Sequence, residues 1–165
     1  MGTGTHRNGY RYLLRILPPV VNYTIVKEVI KILIADNDPL FIKGFKLLLK
    51  FEDSIEILGS AYDGTEAMIL IKDKKPDIAV LDIEMPNKDG LSLLRDLNED
   101  SFSGKVIFLS VHSDSQSFNK AISLKACGYV LKENYESEIV EAILNVSAGK
   151  TYYSPQLQGF LRNQN

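Results

Sequence analysis

Short apolar runs alternate with helical patterns along most of this chain. The strand-like runs begin near residues 31, 55, 77, 105 and 129. Runs rich in Ile, Val and Leu without strict alternation are typical of strands that are covered on both faces. Their regular spacing leaves room for one helix after each strand. The pattern therefore predicts five βα units and a mostly parallel sheet.

The segments between the strand-like runs carry signals for helix starts. The pair Asp38-Pro39 predicts an N-cap at Asp38 and a first helical residue at Pro39. Asp63 and Glu66 have the spacing of a capping box, and so do Ser113 and Gln116. We therefore expect helices to begin directly after residues 38, 63 and 113.

Four of the strand-like runs end on polar residues of types that phosphate chemistry needs. The first run ends at Asp36, the third at Asp82, the fourth at Ser110 and the fifth at Lys132. Right-handed crossovers favour a flavodoxin-like, doubly wound α/β sheet with the strand order 2-1-3-4-5. The carboxyl ends of parallel strands meet at one edge of such a sheet. We therefore expect the four side chains to converge on one pocket.

This set of residues suits a divalent cation and a phosphoryl group. Two carboxylates held close together repel each other unless a cation neutralises them. Mg²⁺ prefers oxygen ligands and keeps several waters. A carboxylate such as Asp82 can form an acyl phosphate. Lys132 would add positive charge, and the Ser110 hydroxyl would donate a hydrogen bond to the phosphoryl group.

The segment around Asp82 is the most distinctive part of the sequence. Residues 76–90 have the sequence PDIAVLDIEMPNKDG. This segment closely resembles the phosphoacceptor segment of bacterial response-regulator receiver domains. Asp36, Ser110 and Lys132 fall where that family has its acidic residue, its switch hydroxyl and its lysine. The resemblance spans about residues 30–150.

The resemblance implies a role for each of these residues. A phosphohistidine on a sensor histidine kinase would phosphorylate Asp82. Tyr129 would be the aromatic residue that moves inward with the switch hydroxyl, unless it is an ordinary core aromatic. His112 and Glu84 would tune the lifetime of the phosphoryl group, although His112 also fits a plain loop histidine. The implied Mg²⁺ ligands are Asp36, Asn37, Asp82 and the backbone carbonyl of Glu84.

One position departs from the family pattern. Most receivers have two adjacent acids after the first strand, whereas this chain has Asn37 in the place of the second acid. An amide oxygen can bind Mg²⁺ but brings no charge. Asp38 is better explained as the helix cap. We therefore expect a phosphorylatable site with weakened Mg²⁺ affinity. The alternative is a pseudo-receiver, or a stand-alone interaction module, that signals without phosphorylation.

The C-terminal part of the sequence narrows the resemblance. Residues 127–132 and 148–157 are similar to the receivers of LuxR-type (NarL/FixJ) transcription regulators. A linker and a helix-turn-helix domain follow the receiver in those proteins. We therefore expect DNA binding only through a C-terminal domain outside this chain, unless the receiver stands alone. We interpret 1–29 as an extension, disordered or added from a vector or an upstream start, 30–150 as the receiver, and 151–165 as the start of a linker.

Composition limits the remaining possibilities. Hydrophobic residues make up 45% and charged residues 24%, which is ordinary for a globular protein. The net charge of −2 gives no reason to expect nucleic-acid binding by this chain itself. The apolar run at 13–21 is too short to cross a membrane, and the single cysteine, Cys127, fits a reducing compartment. We expect a cytoplasmic switch, not an enzyme, with a sensor kinase and a second copy of itself as partners.

Two enzyme classes with similar folds are the third possibility. A flavin carrier would need a glycine-rich or hydroxyl-rich phosphate loop after the first strand, and no such loop is visible there. A haloacid-type phosphatase would need a nucleophilic Asp at the first strand and a general acid two residues later. Asp36 and Asp38 have that spacing. The proline after Asp38 and the segment around Asp82 argue against this class.

Overall fold

A parallel sheet of six strands forms the centre of the domain in the computed structural model, which describes residues 28–161. Its spatial order is β2-β1-β3-β4-β5-β6, and every neighbouring pair is parallel. This confirms the predicted flavodoxin-like fold and the order of its first five strands. The strands are β1 (Ile30–Ala35), β2 (Ile55–Ala61), β3 (Ile78–Asp82), β4 (Lys105–Ser110), β5 (Gly128–Leu131) and β6 (Tyr152–Tyr153).

Helices cover both faces of the sheet, as a doubly wound fold requires. They are α1 (Pro39–Leu49), α2 (Gly64–Lys74), α3 (Gly90–Glu99), α4 (Ser115–Ser123), α5 (Tyr135–Ser147) and α6 (Gln158–Leu161), with 3₁₀ turns at Lys132–Asn134 and Pro155–Leu157. Successive strand residues point to opposite faces, so Val80 packs with α1 and α5 while Leu81 packs with α2, α3 and α4. Within residues 28–161, none of these helices has the length and apolar character of a membrane span.

Aspartates cap the helices α1, α2, α3 and α4, which begin near the carboxyl edge of the sheet. Asp38 caps α1, and its Oδ1 accepts hydrogen bonds from two backbone N–H groups at 2.9 and 3.3 Å. Asp63 caps α2 by accepting from the Glu66 N–H at 2.8 Å. The prediction of Ser113 as the cap of α4 was wrong. Asp114 caps that helix instead, because its carboxylate accepts from the Ser117 N–H at 2.9 Å and is a stronger acceptor than a hydroxyl.

The segment formed by residues 151–161 packs against β5 and α5. Its strand β6 pairs with β5, and its residues Ser154 and Leu157 are fully buried. Ser154 Oγ accepts a hydrogen bond from the Leu131 N–H at 2.9 Å and donates one to the Glu138 carboxylate at 2.5 Å. The strand β6 was not predicted. The assignment of 151–165 to the start of a linker stays a prediction, and the assignments for 1–27 lie outside the described residues.

Candidate functional site

Three of the four predicted site residues are in direct contact at the carboxyl edge of the sheet. Asp36 follows β1, Asp82 ends the neighbouring strand β3, and Lys132 follows β5. Lys132 Nζ lies 2.6 Å from Asp36 Oδ2 and 2.9 Å from Asp82 Oδ2. Ser110 ends β4, directly between β3 and β5 in the sheet. The topology therefore brings the two acids, the hydroxyl and the cation to one edge, as expected.

A tight loop after β3 fixes the position of Asp82. The Gly90 N–H donates to the Ile83 carbonyl at 2.8 Å, so the chain turns back over the end of the strand. A side chain at Gly90 would place its Cβ 2.2 Å from the Asp82 carbonyl oxygen, which only glycine avoids. The Glu84 N–H donates to Asp82 Oδ1 at 3.2 Å. The loop thereby leaves the other carboxylate oxygen of Asp82 to face Lys132.

The two carboxylates and the ammonium are largely removed from solvent. Asp36 is 1% exposed and Asp82 6% exposed, while the Lys132 side chain is 16% exposed. Burial raises the pKa of Asp82, and the hydrogen bond and charge of Lys132 only partly offset this effect. Burial acts to lower the pKa of Lys132, but its hydrogen bonds to the two carboxylates and their charges outweigh burial and raise it. The three groups together carry one net negative charge, which leaves the site short of positive charge.

The oxygen atoms at this edge fit a hard cation such as Mg²⁺. Asp36 Oδ2 is buried with the Lys132 ammonium 2.6 Å away, and Asp36 Oδ1 accepts a hydrogen bond from the Asp38 N–H at 2.9 Å. The amide of Asn37 and the carbonyl of Glu84 are close in sequence to the two carboxylates. Asp38 Oδ1 is engaged in capping α1, which agrees with its predicted role as a cap. Among residues 28–161, no three His, Cys, Asp or Glu side chains form a metal cluster, so the site has two carboxylates and no third acid.

The residues assigned to switching are linked through His112, which follows β4. Ser110 Oγ accepts a hydrogen bond from the His112 N–H at 3.0 Å. Tyr129 is fully buried, and its hydroxyl donates to the His112 carbonyl at 2.9 Å. Burial is the main reason that the pKa of Tyr129 is raised. His112 Nε2 lies 2.8 Å from the Glu84 carboxylate. The side chains of His112 and Glu84 thus form a bridge between the loop after Ser110 and the loop after Asp82.

The sequence analysis missed one residue that contacts the site. The ring centroid of Phe41 lies 4.7 Å from Lys132 Nζ. Phe41 belongs to the first turn of α1, directly after the acidic loop that contains Asp36. In the sequence it is indistinguishable from the apolar residues that pack α1 onto the sheet. Only its place in the first helical turn could have indicated that it lies near the pocket.

Comparisons with known proteins identify the family. Residues 32–144 match the response regulator receiver domain. The chain belongs to the response-regulator receiver family. The signal receiver domain of NarL from Mycobacterium tuberculosis has the same fold, with a TM-score of 0.72 and 32% identity over 74% of this chain and 99% of that chain. A LuxR-family two-component response regulator from Aurantimonas has a TM-score of 0.78 and 26% identity over 83% of this chain and 98% of that chain.

The curated relatives of this receiver are longer proteins. A protein named "Probable transcriptional regulatory protein NarL" from Mycobacterium tuberculosis is 31% identical over 83% of this chain. The transcriptional regulatory protein DesR from Bacillus subtilis is 34% identical over 78% of this chain. The chain spans 63% of the length of each relative. These relatives confirm the predicted resemblance to the receivers of LuxR-type regulators.

Proposed function

We propose that this receiver is a phosphoacceptor switch and that Asp82 accepts a phosphoryl group from a phosphohistidine of a sensor histidine kinase. The contact of one ammonium with both Asp36 and Asp82 carries this proposal, because a carboxylate oxygen of Asp82 lies beside a cation at the carboxyl edge of the sheet. An Asp82 oxygen forms the new P–O bond while the P–N bond to the donor imidazole breaks. The imidazole nitrogen then regains a proton. Lys132 and Ser110 engage the oxygens of the transferred group.

Mg²⁺ is the cofactor of the proposed reaction. The ligands would be Asp36, Asn37, Asp82 and the backbone carbonyl of Glu84, with waters at the remaining positions. When bound, the metal supplies positive charge to the phosphoryl oxygens. Two buried carboxylates that share a single ammonium, and so leave one negative charge unbalanced, support this assignment. Because Asn37 brings no charge, we expect weaker Mg²⁺ binding than at a site with three carboxylates.

Phosphorylation would shift the domain between two conformations. A phosphoryl group on Asp82 offers the Ser110 hydroxyl a new acceptor, and a rotation of Ser110 toward it would break the hydrogen bond that Ser110 Oγ now accepts from the His112 N–H. The carbonyl of His112 in the same loop accepts a hydrogen bond from the Tyr129 hydroxyl. A movement of Ser110 would therefore displace this loop and change the surroundings of Tyr129 and of the start of α4. Contacts made only in the phosphorylated state would drive this population shift. The bridge between His112 and Glu84 would control the access of water and thus the lifetime of the phosphoryl group.

The output that we propose for the whole protein is regulation of transcription. The relatives named as transcriptional regulators extend beyond the part that this chain matches. A C-terminal helix-turn-helix domain would bind the DNA, and a second copy of the receiver would complete a dimer. We place the protein in the cytoplasm, where the sensor kinase presents its phosphohistidine. Beyond accepting and slowly losing its phosphoryl group, the receiver would not act as an enzyme.

Intact-mass measurement tests the proposal directly. The protein is incubated with acetyl phosphate, with millimolar Mg²⁺ or with a chelator, and the adduct is located by peptide mapping. We expect one phosphoryl adduct on Asp82 that requires Mg²⁺ and is absent from Asp82→Asn. A domain that acquires no adduct at millimolar Mg²⁺ would contradict the proposal. The absence of an adduct would favour the pseudo-receiver, because Asn37 stands where most receivers have a second acid.

A further inference from the structure

The ammonium of Lys132 contacts two carboxylates and the face of an aromatic ring. Asp36 and Asp82 lie 2.6 and 2.9 Å from Nζ, and the centroid of the Phe41 ring lies 4.7 Å from the same atom. A cation within about 6 Å of a ring centroid is attracted by the negative face of the ring. Phe41 is therefore a third partner of Lys132, and it carries no charge.

The ring of Phe41 is fixed in place by two helices. Its centroid lies 4.8 Å from that of Tyr135, which begins α5, and 6.5 Å from that of Phe45, which is fully buried in α1. The backbone N–H of Phe41 donates to Asp38 Oδ1 at 3.3 Å. The ring is thus joined to the acidic loop on one side and to the start of α5 on the other. If the ring turned away from Lys132, it would lose its contact with Tyr135.

The partners of Lys132 respond differently when the pocket gains positive charge. Mg²⁺ bound by Asp36 and Asp82 would neutralise both carboxylates and remove most of their attraction for the ammonium. The ring of Phe41 has no charge to be neutralised and no oxygen to bind a metal. Its attraction for Lys132 therefore persists in the state that receives the phosphoryl group.

We propose that Phe41 is a positioning residue, which keeps the Lys132 ammonium at the mouth of the pocket when the carboxylates no longer hold it. This inference rests on the proposed phosphorylation of Asp82. The lysine ammonium is carried on a long, flexible stem, so its position becomes less well defined when its ion pairs weaken. The aromatic face restores that position without competing for the metal ligands. Phe41 acts only through Lys132 and does not touch the phosphoryl group.

The test compares Phe41→Leu, which removes the ring, with Phe41→Tyr, which keeps it. The matched control is Phe45→Leu, because Phe45 belongs to the same aromatic cluster but is fully buried in the core, whereas Phe41 lies against Lys132. Phosphorylation rates are measured with acetyl phosphate at saturating Mg²⁺ and well below the unfolding temperature of each variant. We expect Phe41→Leu to be slower by about fivefold to tenfold, from the strength of a partly buried cation–π contact. Phe41→Tyr and Phe45→Leu should stay within about twofold of the wild type.

Two further measurements separate positioning from packing. In a Lys132→Ala background, Phe41→Leu should cause no additional loss of rate. In the NMR spectrum of the unphosphorylated protein with Mg²⁺, the ε-methylene protons of Lys132 should show an upfield ring-current shift. Phe41→Leu should abolish this shift, and Phe45→Leu should keep it. An equal loss from Phe41→Leu in both backgrounds, or an absent shift, would overturn the inference. A wild-type protein that gains no adduct on Asp82 would overturn the proposed function itself, whatever the NMR result.

Discussion

Replacing Asp82 by Asn should stabilise the domain when no metal is present. Asp36 and Asp82 share one ammonium, so the buried cluster carries one uncompensated negative charge. Burial raises the pKa of Asp82 in spite of Lys132, which means that the folded state disfavours its ionised form. The amide introduced by Asp82→Asn would keep an oxygen for hydrogen bonding and leave Lys132 paired with Asp36 alone. The substitution therefore converts an unbalanced charge cluster into a balanced ion pair.

The expected gain at neutral pH is about 1–2 kcal/mol, because the substitution removes the excess charge and leaves an ion pair; the scale is the lower part of the roughly 1–4 kcal/mol found when whole buried ion pairs are replaced by well-packed apolar residues. For a domain of this size it corresponds to roughly 3–8 °C in Tm. The gain should depend on pH. Since the folded state raises the pKa of Asp82, the wild type binds more protons when folded and loses stability as the pH rises from 3.8 through the folded pKa. The advantage of the amide should thus be full at pH 7 and shrink as the pH falls through that window.

Thermal unfolding in a chelator, at several pH values, checks this reasoning. Asp73→Asn is the matched control, because the Asp73 side chain is 65% exposed and its substitution should leave the Tm nearly unchanged. Saturating Mg²⁺ should reverse the order, because a ligand stabilises the protein that binds it by about 2.7 kcal/mol at one hundred times its Kd. A lower Tm for Asp82→Asn at pH 7 without metal, or a gap that does not narrow in acid, would refute the argument.

Four other substitutions test features of the fold. Gly90→Ala should lower the free energy of unfolding in urea by at least about 2 kcal/mol, because its Cβ would meet the Asp82 carbonyl at 2.2 Å. Gly149→Ala is the comparison: it has open space around a φ of +83° and should lower the free energy of unfolding by only about 1 kcal/mol. Asp38→Ala should lower the free energy of unfolding by about 1 kcal/mol through the lost cap. It should leave the Kd for Mg²⁺ unchanged in a titration, and a large loss of affinity would instead identify Asp38 as a metal ligand. Ser154→Ala should cost about 1–3 kcal/mol and speed hydrogen exchange in residues 151–161; unchanged exchange would contradict its role in holding that segment.

The position of the site could be predicted because it depends on topology alone. Apolar runs of similar length and spacing define parallel strands, and the residue after each strand must lie at the same edge of the sheet. Asp36, Asp82 and Lys132 therefore converge whatever the details of packing. The role of Asp38 was equally accessible, since a cap depends only on the proline and the backbone that follow it.

Features that depend on distant contacts could not be predicted. The strand β6 has two residues, and its pairing partners lie 24 positions earlier in β5. Neither its length nor its pattern distinguishes it from a loop. Phe41 contacts a lysine 91 positions later, and its spacing in α1 is that of any core residue. The cap of α4 was a choice between two adjacent acceptors, and the capping-box spacing of Ser113 and Gln116 favoured the weaker one over Asp114.

The short strand β6 also decides where this receiver can be cut. Removing everything after residue 150 would uncover the outer edge of β5 together with the apolar surface that Leu157 and Phe160 now cover beside Phe118. Unpaired strand edges next to apolar surface recruit other chains. A shortened version for crystallisation or NMR should therefore retain residue 161, and any protein that needs to add a strand beside β5 must first displace the receiver's own C-terminal residues.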